Sequence, residues 1–314
     1  MRPLPRFEEL LPSDGISAHE PLRAKLISVL NSTGEILPSA NSPRGKLWRL
    51  VNSPNASIDQ CAEVIQLDSA LAARLLRVAN SGAYGFEAEN IPQAVSQLGL
   101  RFVREQVFNS GVFKQYSEWN MPPEWDTFWL RNIFVASLCE RLCAAYGRTN
   151  GSEYLAGLLH DIGWLFLATY APDEYAAIFA SGKPVAEAED ELLPFGHAAI
   201  AAAIAERSLL PARSVAAIRN HHPAAVEGLE AMLKPEVSAD FLAAVLSICD
   251  DMADTREMNM FCGTPPTLEQ IMDSPAVSWL TYFGKAPKLG DLADEVLLQS
   301  RAIFEVYFRD KAFK

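Results

Sequence analysis

The sequence predicts an all-α protein, a multi-helical bundle, and three observations carry that prediction. Apolar residues recur at spacings of three and four along most of the chain, alternation of apolar and polar residues is nearly absent, and the periodic segments are short and closed by proline or glycine. The 314 residues suffice for two domains or one large one at about 150 residues per domain.

The elements follow in order. Residues 57–65 read as a helix with Ser57 at the N-cap, and Ile58, Cys61, Ala62 and Ile65 fall on one face. A second helix over 71–79 sets Leu71, Leu75, Val78 and Ala79 toward the core, and Asn80-Ser81-Gly82 ends it, because Asn and Gly adopt turn or left-handed conformations. Arg74 and Arg77 on this helix read as solvated or ion-paired. The stretch Trp119-Asn-Met-Pro-Pro-Glu-Trp marks a seam. Helices then run over 128–146, stopped by Gly147, and over 152–168. Residues 198–205, nearly all alanine and isoleucine, suit a helix held tightly between neighbours, and 241–248 is a further apolar helix. A second seam, Cys262-Gly-Thr-Pro-Pro, precedes a tail whose amphipathic stretches are 268–272 and 296–308, the latter with Val296, Leu297, Ile303, Phe304, Tyr307 and Phe308 as apolar positions. The seams divide the chain into an N-terminal helical lobe (1–118), a helical bundle (119–260) and a C-terminal tail packing on the body (261–314).

Composition narrows the function classes. Lys and Arg number 27 against 39 Asp and Glu, and the net charge of −12 disfavours a nucleic-acid partner or an anionic membrane surface. No run of 18 apolar residues and no apolar leader is present, so the expectation is a cytoplasmic protein with no membrane contact. Five scattered cysteines suit reduced thiols. Cys139 and Cys143 have the spacing of half a zinc site, but no second pair follows and buried core thiols are the reading. The aromatic residues Trp119, Trp125, Phe128 and Trp129 read as packing between helical lobes, and the acid run 187–191 as a solvated loop cluster.

The chemistry concentrates in the histidines. His19 stands alone, whereas His160, His197, His221 and His222 fall within residues 160–222. His160-Asp161 sits in an apolar helical stretch, where a charged pair is costly to bury unless partnered. His221-His222 follows a helix and precedes Pro223, and Asp250 follows the apolar helix at 241–248. Imidazoles and carboxylates at several helix positions are the donor set of a di-metal hydrolase inside a bundle, since carboxylates bridge and neutralise, imidazoles coordinate without adding charge, and a bridging water becomes the nucleophile.

In order and type, these residues resemble the HD-type metal-dependent phosphohydrolase superfamily, whose pattern is His, His-Asp, His, His or His-His, then Asp. The matches are His160-Asp161, His197, His221-His222 and Asp250. The superfamily's first ligand falls where this chain has Arg131-Asn132, and its common Lys or Arg after His-Asp-Ile-Gly is Trp164 here. The stretch from Leu67 to Tyr84, with Ile91-Pro-Gln-Ala-Val-Ser-Gln-Leu-Gly, Val103-Arg-Glu, Gly157-Leu-Leu-His-Asp-Ile-Gly, Glu189 or Glu191 ahead of Phe195-Gly-His197, and Leu210-Pro211, is similar to the HDOD family over residues 20–255.

The resemblance implies an HD-like bundle with an N-terminal helical lobe, in a bacterial, cytoplasmic signalling or regulatory protein that acts through signalling protein partners. It implies a degenerate metal site at His160, Asp161, His197, His221, His222 and Asp250, holding a divalent Fe or Mn ion or none, with no catalytic residue assigned. The alternative is a metal-dependent phosphohydrolase acting on a phosphodiester or phosphomonoester through a metal-bound hydroxide, with Asp161 bridging. A third reading has the pocket hold a small anionic ligand without hydrolysing it.

Overall fold

The computed structural model describes residues 6–12, 19–32, 47, 50, 56–84, 88–117, 125–149, 151–207, 210–222, 238–260, 265–285 and 287–306, and among these there is no strand. In chain order the helices are α1 (Phe7–Leu10), α2 (Glu20–Ser32), α3 (Ile58–Gln66), α4 (Ser69–Ala79), α5 (Ile91–Ser117), α6 (Trp125–Ala145), α7 (Glu153–Leu159), α8 (Ile162–Tyr170), α9 (Pro172–Ala180), α10 (Val185–Leu192), α11 (His197–Arg207), α12 (Ala212–Arg219), α13 (Ser238–Asp254), α14 (Leu268–Met272), α15 (Pro275–Leu280) and α16 (Leu289–Phe304). The all-α class expected from the periodicity is the class observed. The chain divides into two compact units that interleave in sequence, one of residues 1–34 and 131–293, the other of residues 35–130 and 294–314.

In the second unit, α3, α4 and α5 pack on one another. Ser57 closes a capping box on α3: its hydroxyl accepts from the Gln60 N–H and the Gln60 side chain accepts from the Ser57 N–H, both at 3.2 Å. Cys61, Ala62 and Ile65 are buried, as their spacing requires. Asp68 caps α4 by accepting from the Leu71 N–H, and Leu71, Leu75, Val78 and Ala79 are fully buried. Asn80 ends α4 with φ −87°, a turn rather than a left-handed residue, and its amide both donates to and accepts from the Ala88 backbone. Gly99, at φ 84°, puts a kink in α5 that a residue with Cβ would resist. Phe128 and Trp129 are buried and meet edge to face at 5.3 Å, while Trp119 lies outside the described residues. Val296, Ile303 and Phe304 of α16 are buried, and Tyr307 and Phe308 lie outside the described residues.

The first unit carries the histidines. Gly147 stops α6 in the left-handed conformation (φ 66°), and the Arg148 N–H returns to the Cys143 carbonyl at 2.9 Å, a Schellman closure. Cys139, Cys143 and Cys249 are buried free thiols. Burial pushes the Cys139 and Cys249 thiols up, and the contact with Cys139 together with burial does the same for Cys143, so these are unreactive core thiols. Cys262 lies outside the described residues.

Two expectations are corrected. The helix read across 152–168 is two helices, α7 and α8, separated at His160 and Asp161. Asp161 sits at φ −103°, ψ 6°, and the Trp164 N–H closes a tight turn onto its carbonyl at 2.9 Å. The apolar pattern continues through the break because both helices are buried along nearly their whole length, so periodicity carries no mark of it. The acid run 187–191 lies within helix α10 rather than a loop, and Glu189 in it is buried.

Helix α8 packs on α11, and α11, α12 and α13 pack in succession. Leu165, Phe166 and Leu167 of α8 are each at most 1% exposed, and burial of a side chain of that size contributes about 1.5–3 kcal/mol. Two glycines let helices meet backbone to backbone around the His-Asp step. A Cβ at Gly157 would stand 2.5 Å from Ala136 Cα, and one at Gly163 would stand 2.0 Å from the His197 carbonyl oxygen.

Candidate metal centre

Asp161 is the hub of the site. It is 1% exposed at the break between α7 and α8, where the turn points its carboxylate at imidazoles from three other positions. His160 Nε2 lies 3.3 Å from Asp161 Oδ2, and His197 Nε2 and His221 Nε2 lie 3.4 and 3.5 Å from Oδ1. His222 Nε2 is 2.8 Å from His197 Nε2. Two sets of donor atoms thus stand close enough to hold a metal ion: His160, Asp161 and His221, and His197, His221 and His222.

The ring orientations are fixed from outside the cluster. His160 Nδ1 is 2.7 Å from the Gly157 carbonyl, His221 Nδ1 is 2.7 Å from the Ile218 carbonyl, and His197 Nδ1 is 2.8 Å from Glu189 Oε1, which also accepts from the His197 backbone N–H. Each acceptor calls for the proton on Nδ1, leaving the Nε2 lone pair of the neutral ring directed inward. Trp164 lies flat on His197, with centroids 4.2 Å apart and planes 20° apart, and so fills the side of that ring with an aromatic surface. The position that would carry a cation in the superfamily pattern is therefore 1% exposed and devoted to packing.

Arg131 of α6 enters from the other side. Its guanidinium is 1% exposed, donates to the carboxylate of Asp254 and the carbonyl of Met258, and binds Asp250 Oδ1 at 2.6 Å; Nε lies 3.9 Å from Asp161 Oδ2. Asp250 Oδ1 is also 3.0 Å from His160 Nε2. All six sequence-expected residues thus lie in one cluster, with Asp250 on its Arg131 side, while His19 opens α2 and takes no part.

Without an ion the cluster is a network of ion pairs. Burial opposes charge on His160, but Asp161 and Asp250 outweigh it and lift its pKa to about 10. Burial likewise opposes charge on His197, and Glu189 and Asp161 lift it to about 9. Burial raises the Asp161 carboxyl, yet the His160 charge and the close approach of the His160, His197 and His221 rings hold it well below its usual range. His222 is pushed well down by burial and by the neighbouring His221 and His197. Burial disfavours the Arg131 charge, and Asp250, Asp254 and Asp161 more than restore it.

The donor set fits a transition-metal ion on two observations. Asp161 Oδ2 and His221 Nε2 are buried without a hydrogen-bond partner, a costly condition in a low-dielectric interior. Moreover, ligand atoms about 2.1 Å from one ion at octahedral to tetrahedral angles stand roughly 3.0–3.4 Å from each other; the contacts of Asp161 with His160, His197 and His221 and of His197 with His222 run from 2.8 to 3.5 Å, and the donor atoms of each set all lie within 4.8 Å of one another.

The sequence pattern missed three members of the site. In the sequence Arg131 marks only a departure at a ligand position, Asp254 gives no signal, and Glu189 is one of two acids ahead of Phe195-Gly-His197.

An all-helical bundle with an imidazole and carboxylate cluster built around a His-Asp step defines an HD-like protein. Residues 37–224 match the HDOD domain family, and the chain belongs to that family. It is similar, at 24% identity over 206 residues, to an uncharacterised protein of Treponema pallidum (strain Nichols); the match covers 63% of this chain and 40% of that relative, so the chain spans less than half of its length. The fold is shared with crystal structures. An HDOD domain protein of unknown function from Geobacter sulfurreducens superposes with a TM-score of 0.70 at 22% identity, over 91% of this chain and 99% of that one. A protein from Shewanella amazonensis SB2B, provisionally described as a phosphohydrolase, gives 0.65 at 24% identity over 90% and 98%. One from Marinobacter aquaeolei VT8, provisionally described as a signal transduction protein, gives 0.63 at 21% identity over 95% and 68%.

Proposed function

We propose that this chain is a cytoplasmic regulatory HDOD protein that acts through signalling protein partners and holds one divalent transition-metal ion, Fe or Mn, in a buried centre of His160, Asp161, His197, His221 and His222, bordered by Asp250. The observation that carries this reading is the tautomer control: three rings with Nδ1 tied to acceptors outside the cluster and Nε2 converging on one carboxylate. In this reading Glu189 orients His197, the Gly157 and Ile218 carbonyls orient His160 and His221, and Trp164 excludes water from the His197 face. A bound ion supplies Lewis-acid polarisation and, above all, relieves the unpartnered donors.

Burial favours a structural or regulatory role over turnover, since His160, Asp161, His197 and His221 are each at most 1% exposed. The net charge of −12 suits a protein partner better than a nucleic acid or an anionic membrane. The phosphohydrolase reading draws on one observation, the partial exposure of His222 and Asp250 at the edge of the cluster.

The test is metal analysis of protein purified without chelator, paired with phosphodiester turnover. Near-stoichiometric metal in the wild type, at least a ten-fold fall in affinity in Asp161→Asn, and turnover no greater in the wild type than in that variant are expected. Metal-free wild type would refute the metal-holding reading. Turnover abolished by Asp161→Asn with the fold intact would replace the regulatory reading with the hydrolase.

A further inference from the structure

We propose that Arg131 is a resident cation seated in a latent second divalent-cation site, so that its guanidinium limits the centre to one ion. The two oxygens of Asp161 face different groups. Oδ1 faces the His197 and His221 imidazoles, while Oδ2 faces His160 Nε2 at 3.3 Å and Arg131 Nε at 3.9 Å.

Around the guanidinium stand three carboxylates, Asp161, Asp250 and Asp254, and the Met258 carbonyl, with His160 Nε2 bound to Asp250. Take the guanidinium away and these are hard oxygen donors with an imidazole at their edge, a set that suits Mn2+. Losing Arg131 strips Asp250 and Asp254 of their guanidinium bonds, so a divalent ion is the natural replacement there. Unlike a bound ion, a guanidinium cannot dissociate or deprotonate in a protein, so this half of the centre is neutralised whatever the metal supply.

The single-ion count in the wild type rests on the metal-holding reading above; the latent site around Arg131 does not. The test is Mn2+ binding to the full chain, measured as metal per chain after gel filtration and by electron paramagnetic resonance, with the thermal midpoint recorded in chelator and in Mn2+. The wild type is expected to bind one ion, Arg131→Gln two with exchange-coupled spins and a larger Mn2+-dependent rise in midpoint, and Arg131→Lys one. Should the wild type bind none and Arg131→Gln one, the latent site stands and the imidazole reading falls. Should both bind one, the reading stands and the proposal is overturned. Two ions in Arg131→Lys would also overturn it, since charge would then not be what excludes the second ion. If Arg131→Gln is unfolded in chelator, recovery of its helical circular dichroism in millimolar Mn2+ supports the proposal, and failure to recover in Mn2+ overturns it.

Discussion

Substituting alanine for Gly163 sets two effects of opposite sign against each other. On helix propensity alone, Gly to Ala inside α8 stabilises by about 1 kcal/mol. The added Cβ would stand 2.0 Å from the His197 carbonyl oxygen and 2.7 and 2.8 Å from its carbonyl carbon and Cα, all backbone atoms that no rotamer change can move. Raising 2.0 Å to the 3.0 Å below which Cβ contacts essentially never occur demands that α8 and the start of α11 separate by about 1 Å. Overpacking of this kind costs about 1–3 kcal/mol. The same displacement threatens the 2.8 Å contact between His197 Nδ1 and Glu189, and loss of a charged hydrogen bond adds about 1.5–3 kcal/mol. Packing therefore wins, with a net loss near 3 kcal/mol. At about 2–4 °C per kcal/mol the thermal midpoint should fall by roughly 10 °C. The assay is circular dichroism melting in chelator, with Gly82→Ala, whose Cβ would meet nothing within 4 Å, as the neutral control. A midpoint for Gly163→Ala equal to or above wild type would refute the close-approach reasoning.

Two further outcomes are expected. In chelator, the folded state holds protons on His160 and His197 to about pH 10 and 9, whereas the unfolded chain releases them near 6.5, so their contribution is complete below pH 6.5 and lost as pH rises through those values. Urea unfolding at pH 6.5, 8 and 10 should show this decline, with a shallower slope in His160→Gln; parallel slopes in the two proteins would contradict the assigned pairing. In the other unit, Ser57→Ala removes the capping box of α3 and should cost about 1 kcal/mol by urea unfolding, and an unchanged midpoint would show the cap to be idle.

Local chemistry was legible in the sequence. The Ser57 cap, the stripe Leu71, Leu75, Val78, Ala79 and the left-handed stop at Gly147 depend on residues within a turn or two of each other, and each appears where the pattern places it. The histidine cluster was legible as a family pattern rather than as geometry. What stayed hidden is non-local. Arg131 finds its acidic partners 119 and 123 residues further on, and no spacing rule connects a helix residue to carboxylates at that distance. Glu189 looked like one solvated acid among four, because nothing in its immediate neighbourhood records that His197 will need an acceptor. The break at His160-Asp161 was masked by the uniform burial of α7 and α8, in which the helical period continues through a turn that the side-chain chemistry demands.

The interleaving of the two units bears on the order in which the protein can be made. Residues 1–34 are synthesised before residues 35–130, yet their unit lacks its other partners until residues 131–293 follow, and the second unit is incomplete until residues 294–314 are synthesised. Folding domain by domain from the N-terminus is therefore closed to this chain. The charges of Asp250 and Asp254 must wait for α13 to meet α6 across more than a hundred residues before they can be buried in pairs. A nascent chain halted before residue 250 would carry Arg131 and Asp161 with neither of the later carboxylates, which makes the centre a late product of synthesis and an indicator that the first unit has closed.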